Sequence, residues 1–461
     1  MTKGISPPTG SFIQKTFFSH CLSRIPVALL GMMFWLLQPT VPVQAATLCV
    51  NPAAIGCYNT IQAAINAANP AGGDTLNVSA RVYNELLTID RNLVIQGSRT
   101  SEFPIITTTI SGTGLTGPVV DICCGKTVTL DTLKIINGNN TLSDGGGIRK
   151  NLNAGTLTMR HVTVSNNRTA NYGGGIYARG IMRLNDCWVG DNTAEESGGG
   201  ISGAQSQVSM TRTNVMRNVG RSGGGLAISG SLEITDGIIS GNTCQYDGGG
   251  ISLGWGNASF LNRVTINDNQ AGVNGGGIAN QGSVVTLTNV TISGNSATTG
   301  DGGAIYNYAQ TGHLSSVKLS SSTVAYNSAP FGARGGLMGW QDVNGQNTII
   351  IFSSIFAYNS GDNCFIDEGT IESWGYNVFD DENCSPVPSA DLVNTDPKLS
   401  PLAWNSGYVQ THALQPGSPA VGHNKLACEE VDARGVPRRT PCDSGSFEQT
   451  KWVFIPLILN Q

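Results

Sequence analysis

The chain has 461 residues, of which 60 are glycine, about 13% against a usual ~7%, and only 12% are charged. The scarcity of charged residues argues against long helices and coiled coils, and the glycines cluster instead of recurring at every third position as in collagen. The formal net charge is −5, from 26 basic and 31 acidic residues, with no basic cluster. This charge balance argues against nucleic acid as a partner and against electrostatic binding to anionic lipid. The composition leaves an all-β chain of many short strands.

Residues 1–45 have the organisation of a secretory signal peptide. Lys3, Lys15 and Arg24 precede an apolar run over residues 25–37, and Val43-Gln44-Ala45 forms a small-x-small cleavage site. The run is shorter than the ~20 residues that cross a bilayer. We therefore predict export to a secreted or cell-surface location, in the extracellular space or outer envelope, with no membrane span in the mature chain. An N-terminal membrane anchor is the alternative.

Residues 46–385 repeat a unit of about 25 residues. Each unit contains a short strand pattern, an asparagine, a variable loop and a glycine triplet followed by an aliphatic residue. The aliphatic positions are Ile148, Ile176, Ile201, Leu226, Ile251, Ile278, Ile305 and Leu337. Coils of this size stack about 4.8 Å apart, with each strand pairing with its copies above and below. The pattern predicts a solenoid of parallel β-coils.

A second series of residues keeps step with the glycine triplets. Its members are Asn139, Asn167, Asn192, Asn218, Asn242, Asn269, Asn295, Asn327 and Asn359. Asparagine tolerates left-handed backbone and can form hydrogen bonds along a stack. We predict a structural asparagine ladder at one turn of the coils.

The Gly-Gly-Gly-Ile motif and the recurrent Thr-Ile-x-x-Asn motif resemble exported proteins of the pectin-lyase-like superfamily. The repeats also resemble the GGA(I/L) and FxxN repeats of polymorphic outer-membrane proteins, with Ile or Val mostly replacing the aromatic residue, as in Ile292-Ser293-Gly294-Asn295. The resemblance covers residues 48–449. It implies an all-β, right-handed, single-stranded parallel β-helix, with residues 58–65 as a short N-terminal capping helix.

The C-terminal segment, residues 386–449, has no glycine triplet. Its motifs at 394–399, 411–420, 432–438 and 442–448 resemble the choice-of-anchor Q domain of bacterial surface proteins, except at Val421-Gly422-His423. The resemblance implies a cap on the solenoid. The charged residues of the segment are predicted to form a buried ionic clasp at the solenoid end, more readily than a binding site: Asp432, Arg434, Arg438, Asp443 and Glu448. Residues 450–461 form an apolar tail suited to sorting or anchoring.

Ten of the eleven cysteines remain once Cys21 leaves with the signal peptide, and an even number in an exported chain favours disulfides. Short loops favour three local pairs, Cys49 with Cys57, Cys364 with Cys384, and Cys428 with Cys442. Cys187 and Cys244 suit apolar filling positions. Cys123 and Cys124 are adjacent, which makes a bond between them geometrically awkward.

Parallel β-helices often cleave acidic polysaccharides, and such cleavage requires paired carboxylates or an acidic Ca²⁺ site with a base. Asn394-Thr395-Asp396 lies within the C-terminal segment, Asp380-Asp381 precedes it, and no Gly-His-Gly follows. The residues that precede the triplets are Asp144, Tyr172, Ser197, Ser222, Asp247, Asn274 and Asp301. Their carboxylates are interrupted, which allows at most a weak Ca²⁺ contact at Asp301 with Asn274. Arg149, Lys150 and Arg179 are interpreted as solvated charges. No catalytic, cofactor-binding or metal residues are predicted.

Aromatic side chains suggest a binding surface instead. Tyr177, Trp188, Trp255, Tyr306, Tyr308 and Trp340 could stack on carbohydrate, although such rings can also fill or cover the solenoid. We predict an exported, noncatalytic β-helix protein with an adhesive, carbohydrate-binding or structural role. The expected partner is extracellular or cell-wall polysaccharide or another cell surface. The alternative is a lyase or glycoside hydrolase that acts on acidic polysaccharide.

Overall fold

The computed structural model describes residues 45–100, 105–256, 258–330, 334–384 and 390–450. The predicted signal peptide, apart from Ala45, and the apolar tail, apart from Thr450, lie outside these ranges. The described chain forms a β-solenoid of about 12 turns in which 31 strands join one continuous sheet through parallel pairs. The predicted parallel β-helix is confirmed.

The strands of the solenoid form three faces, and the longest strands bend from one face to the next. Face 1 follows the glycine turns and contains Leu87–Ile89, Val120–Ile122, Ile148–Lys150, Ile176–Asn185, Ile201–Thr211, Leu226–Ser240, Ile251–Leu253, Ile278–Gln281, Ile305–Ala309, Leu337–Gln341 and Cys364–Asp367. Face 2 contains Thr47–Val50, Asp74–Val78, Leu93–Gln96, Val128–Asp131, Thr156–Arg160, Ser259–Asn267, Val284–Thr288, Leu314–Ser320, Gln346–Phe352 and Thr370–Ser373. Face 3 contains Val82–Asn84, Thr109–Ser111, Lys134–Ile136, Thr163–Ser165, Trp188–Gly190, Asn214–Met216, Thr291–Ser293, Thr323–Ala325, Ile355–Ala357 and Val378–Phe379.

Nine further strands of the described ranges lie outside this sheet. Seven two-residue strands stack between face 3 and the glycine turns: Asn139–Asn140, Arg168–Thr169, Thr193–Ala194, Val219–Gly220, Thr243–Cys244, Gln270–Ala271 and Ser296–Ala297. Leu399–Trp404 and Gln410–Leu414 form an antiparallel pair in the C-terminal segment.

The interior is filled by aliphatic side chains that stack in register. Ile201 pairs with Leu226 and Leu226 pairs with Ile251, and all three side chains are fully buried. Burying a side chain of this size contributes roughly 1.5–3 kcal/mol. These residues occupy one interior stack, as the spacing predicts.

The glycine triplets satisfy two different requirements. Gly173 has a φ of +73°, which disfavours any residue with a Cβ. A Cβ on Gly174 would lie 2.4 Å from the carbonyl oxygen of Gly199, and one on Gly175 would lie 2.7 Å from that of Gly200. The first glycine therefore permits the turn, and the other two permit close approach of the next coil.

Helix α1, Ile61–Ala67, covers the N-terminal end of the solenoid. The Thr60 hydroxyl accepts a hydrogen bond from the Ala63 amide, and the Glu85 carboxylate accepts from the amides of Ile61 and Gln62. These acceptors satisfy amide groups that a helix N-terminus leaves unpaired. Across the described ranges, no helix combines the length and apolar character needed to traverse a membrane.

A buried ladder of asparagine amides runs from Asn167 to Asn359. From Asn167 to Asn327, the backbone amide and the side-chain Nδ2 of each ladder residue both donate to Oδ1 of the asparagine in the next coil. Asn242, for example, donates both bonds to Asn269, at 3.0 and 2.9 Å. Its Nδ2 also donates to the carbonyl of Val215 at 3.0 Å. Each interior rung thus satisfies both donors and both lone pairs of its amide.

The N-terminal end of the ladder differs from the prediction. Asn139 is exposed and pairs with Arg168, so Gly138 occupies the position equivalent to Asn167. A Cβ at Gly138 would lie 2.0 Å from the carbonyl oxygen of Gly146, which leaves no room for asparagine there. Asn139 is therefore not a ladder member.

The turn conformation also differs from the prediction, because the left-handed residue is the one before the ladder asparagine. Asn166, Asp191 and Asp268 have φ values of 55°, 57° and 55°, respectively. The ladder residues themselves therefore keep ordinary backbone geometry, which directs their amides along the stack.

The C-terminal segment first closes the last coil and then returns along the solenoid. Leu392 forms a bridge to Val378, and the Asn377 amide donates to Asp391 at 2.8 Å. Residues 397–450, the C-terminal strap, then cover the outer surface of face 3. The Thr265 hydroxyl donates to the carbonyl of Gln410 at 2.7 Å, and the Tyr408 hydroxyl reaches the carbonyl of Arg212 at 3.1 Å.

The charged residues of the strap form a buried clasp. Arg434 pairs with Asp432 at 2.6 Å, and Arg438 pairs with Glu448 at 3.3 Å. Burial raises the pKa of the Asp443 and Glu448 carboxyls. Arg438 also donates to Oδ1 of Asn289 at 2.9 Å, which places the clasp beside face 3.

The location predicted for this clasp, at the solenoid end, is therefore wrong. The strap turns back along face 3, which brings Ser446 against Thr291 and Thr323, several coils before the last one.

The described residues contain three disulfides, between Cys49 and Cys57, Cys364 and Cys384, and Cys428 and Cys442, with Cα separations of 4.9, 4.9 and 6.0 Å. The third closes a loop within the strap, so the clasp and the face 3 contacts, rather than this bond, hold the strap on the solenoid. The thiols of Cys187 and Cys244 are free and buried.

His412 fastens the strap to face 3 in its neutral form. Its Nδ1 donates to the carbonyl of Ser400 at 2.7 Å, and its Nε2 accepts from the Ser293 hydroxyl at 2.9 Å. Burial lowers the pKa of His412 below its ordinary 6.5. Because the unfolded chain binds the proton more readily, stability due to this group is lost as the pH falls below about 6.5.

We expect the melting temperature of the native chain, measured by calorimetry, to fall between pH 7.5 and 5.5. In His412→Gln this fall should be smaller. Trp404→Ala, which alters an exposed residue of the strap that does not titrate, is the control and should leave the pH dependence unchanged. Equal pH dependence in the native chain and His412→Gln would contradict the assignment.

Candidate functional site

The outer surface of face 1 carries a groove with small side chains between two tyrosines. The residues are in register from coil to coil, which gives the column Tyr177, Ser202, Ala227, Ser252, Ala279 and Tyr306. At about 4.8 Å per coil, the two tyrosines lie about 24 Å apart along the axis. We call this surface the aromatic groove.

Further aromatic rings extend both ends of the groove. Tyr172 lies beside Tyr177 and is 44% exposed. At the other end, Tyr308 stacks on Trp340 with ring centroids 5.1 Å apart and an angle of 15° between the rings. Tyr308 is held by a 2.7 Å hydrogen bond from its hydroxyl to Asp342.

A depression of about 280 Å³ occupies the part of the groove next to Tyr172 and Tyr177. Its walls and floor also include Ala204 and Ser229. A second depression, of about 340 Å³, adjoins it through Ser229 and extends to Trp255. The Trp255 ring is 59% exposed and stacks on His313 with centroids 5.2 Å apart.

One predicted aromatic residue is not part of this site. Trp188 lies on face 3, where the Arg217 guanidinium sits 5.4 Å from its ring centroid. Tyr177 and Tyr306 are only 9% and 8% exposed, so they act mainly as walls. The better-exposed contact rings are Tyr172, Trp255 and Trp340.

The charged side chains along one edge of the groove already form hydrogen bonds and ion pairs within the protein. The Asp247 carboxylate accepts from the Asn274 amide at 3.0 Å and from Gln281 at 3.2 Å, and its burial raises its pKa. Asp301 pairs with Arg334 at 3.2 Å, and Oδ1 of Asn274 accepts from the Asp301 amide. The proposed weak Ca²⁺ contact at Asp301 and Asn274 stays a prediction.

The basic residues near the groove are not free surface charges. Arg149 forms an ion pair with Asp121 at 2.6 Å, and Arg179 donates to Gln205 at 2.7 Å. Lys150 is buried, and its ammonium donates to the carbonyls of Leu152 and Arg179 at 2.7 and 2.6 Å. The interpretation of Lys150 as solvated is wrong, because its side chain points inward in register with Ala178.

The paired acids of the sequence serve as acceptors around the last coil. Asp380 accepts from Nδ2 of Asn363 at 2.6 Å, and Asp381 accepts from the Asn363 amide at 2.9 Å. Asp396 accepts from the Tyr358 hydroxyl. Asp380 and Asp381 end the asparagine ladder through Asn363, which accepts from Nδ2 of Asn359.

Two segments of the chain match a known repeat family. The Chlamydia polymorphic membrane protein (Chlamydia_PMP) repeat matches residues 161–179 and 289–308. The first segment contains Tyr172 and Tyr177, and the second contains Tyr306 and Tyr308, so the matched repeats supply both tyrosine ends of the groove. No curated protein matches the chain. The chain is thus a β-helix repeat protein with repeats that resemble those of polymorphic membrane proteins.

Proposed function

We propose that this chain is an exported surface protein that binds carbohydrate along the aromatic groove without cleaving it. The observation that carries the proposal is the register of face 1, where aromatic rings flank four coils of small side chains. Sugar rings stack their apolar faces on aromatic side chains, while serine hydroxyls exchange hydrogen bonds with sugar hydroxyls. A straight groove suits an extended glycan.

The repeat match supports a surface location, because its family is described as a polymorphic membrane protein repeat. We further propose that the scaffold is of the pectin-lyase-like kind and that residues 386–449 correspond to a choice-of-anchor Q domain. In this proposal residues 1–45 direct export, and residues 450–461 serve in sorting or anchoring.

The charges around the groove favour a neutral glycan. Asp144 and Asp247 line one edge outside any ion pair of the described residues, whereas Asp301 with Arg334 and Asp121 with Arg149 neutralise each other. A uronate-containing chain would bring further negative charge to this edge, at an electrostatic cost. Binding of the neutral glycan should therefore depend only weakly on salt.

The proposal is tested by calorimetric titration of the purified protein with neutral and uronate-rich polysaccharides. Tyr172→Ala removes an exposed ring, and Ala227→Phe fills the floor. Each is expected to weaken binding of the preferred neutral glycan at least tenfold, equivalent to about 1.4 kcal/mol. Trp404→Ala, at an exposed ring of the strap, is the matched control and should bind like the native chain.

Unchanged affinity in both groove variants would contradict the proposed site. Assays for reducing ends and unsaturated products, run on the same panel, test the enzymatic alternative. Product release from an acidic polysaccharide would overturn the noncatalytic assignment.

A further inference from the structure

Two adjacent cysteines lie at an exposed turn of face 1. Cys123 directly follows the strand Val120–Ile122, and its amide donates to the carbonyl of Ile89 at 3.1 Å. Cys124 and Gly125 both have left-handed backbone, with φ values of 63° and 64°. The turn brings the two Sγ atoms to 2.6 Å from each other.

This pair differs from the other cysteines that the structure describes. Six form the three local disulfides, and the thiols of Cys187 and Cys244 are buried. Cys124 is exposed and Cys123 is partly exposed, so both can meet a small reagent.

We propose that Cys123 and Cys124 form a reducible vicinal disulfide that exchanges with small thiols and disulfides. Ordinary disulfides join Cα atoms about 4.4–6.8 Å apart, whereas neighbouring Cα atoms are only about 3.8 Å apart across a trans peptide bond. A bond across one peptide is therefore strained, and strained, exposed disulfides are reduced more easily than structural ones.

The exchange has a defined order. The Cys124 thiolate attacks an external disulfide such as glutathione disulfide, which forms a mixed disulfide and releases one thiolate. Cys123 then loses its proton and attacks Sγ of Cys124, which closes the ring and releases the second thiolate. The two cysteines lose two protons and two electrons, and the external disulfide gains both electrons. Burial raises the pKa of Cys123 to about 11, so this thiol is mostly protonated near neutral pH and the first attack falls to the exposed Cys124.

The first test maps thiols in the full chain after incubation with glutathione disulfide. The protein is denatured in iodoacetamide without reductant and digested with trypsin. The peptide 100–126, which contains both cysteines, should be unlabelled and lighter by two hydrogen atoms than the dithiol. Peptides containing Cys187 and Cys244 should each carry one label, as internal controls for free thiols.

Redox titration in glutathione buffers should then reduce this pair at a less reducing potential than Cys428–Cys442. Cys123→Ser removes the residue that closes the ring, so glutathione should accumulate on Cys124, whereas Cys187→Ser should gain no adduct. Labels on both Cys123 and Cys124, a bond from either to another cysteine, or reduction no easier than that of Cys428–Cys442 would overturn the proposal.

Discussion

Asn269→Ala should lower the free energy of unfolding by about 2–6 kcal/mol, because a buried donor without a partner costs roughly 1–3 kcal/mol. The substitution removes the acceptor of two buried donors, the backbone amide and Nδ2 of Asn242. It also removes the donor to the carbonyl of Ile239 at 2.9 Å. Chemical denaturation followed by circular dichroism measures the loss.

Asn139→Ala is the matched control, because Asn139 is an exposed asparagine next to the ladder position. The free energy of unfolding of Asn139→Ala should differ from that of the native chain by less than about 0.5 kcal/mol. Glycan binding by folded Asn269→Ala should equal that of the native chain. If Asn269→Ala instead keeps the native free energy of unfolding but loses glycan binding, the ladder is a functional site.

Arg438→Met should destabilise the docked strap by about 3–5 kcal/mol, since removing one member of a buried ion pair leaves its partner uncompensated. The Arg438 side chain is completely buried, and besides Glu448 it binds the carbonyls of Asp443 and Gly445 at 3.0 and 2.7 Å. Limited proteolysis should release fragments of the strap, and the melting temperature should fall.

The neighbouring Arg439→Met is the control, because the Arg439 side chain is exposed. It should alter neither proteolysis nor melting. The defect of Arg438→Met should shrink as the pH falls toward 4.5, because protonation of Glu448 removes the uncompensated charge. Equal effects of the two substitutions would contradict the role of the clasp.

The coil architecture could be predicted from sequence because each coil repeats the same local requirements. The glycine triplets mark turns where φ is positive or a Cβ would collide, and the aliphatic residue after them marks the interior. The ladder was predictable for the same reason from Asn167 onward. The prediction for Asn139 was wrong because the repeat spacing varies by a few residues and cannot exclude a shift of one position. The strand register fixes the position and assigns it to Gly138.

The course of the strap and the state of Lys150 were beyond sequence reasoning. Many contacts of the strap join serine, threonine and backbone groups that have no distinctive sequence pattern. Ser446 and Thr291, for example, are 155 residues apart. Lys150 is buried because two carbonyls happen to face its ammonium, which depends on the path of the following loop. The aromatic residues of the groove could be predicted as candidates from the sequence. Only the strand pairing shows that Tyr177 and Tyr306 lie in one column on face 1, whereas Trp188 lies on face 3.

The strap changes how the solenoid can come apart. In a stack of coils, each repeat normally holds only its neighbours, so terminal repeats fray one at a time. Here a single segment bonds to Arg212 and, through Ser444, to the carbonyl of Tyr376. The coils between these residues must therefore unfold together, unless the strap first dissociates from face 3. The coils before Arg212 keep the freedom to fray one at a time, so one continuous sheet contains a part that opens cooperatively and a part that opens coil by coil.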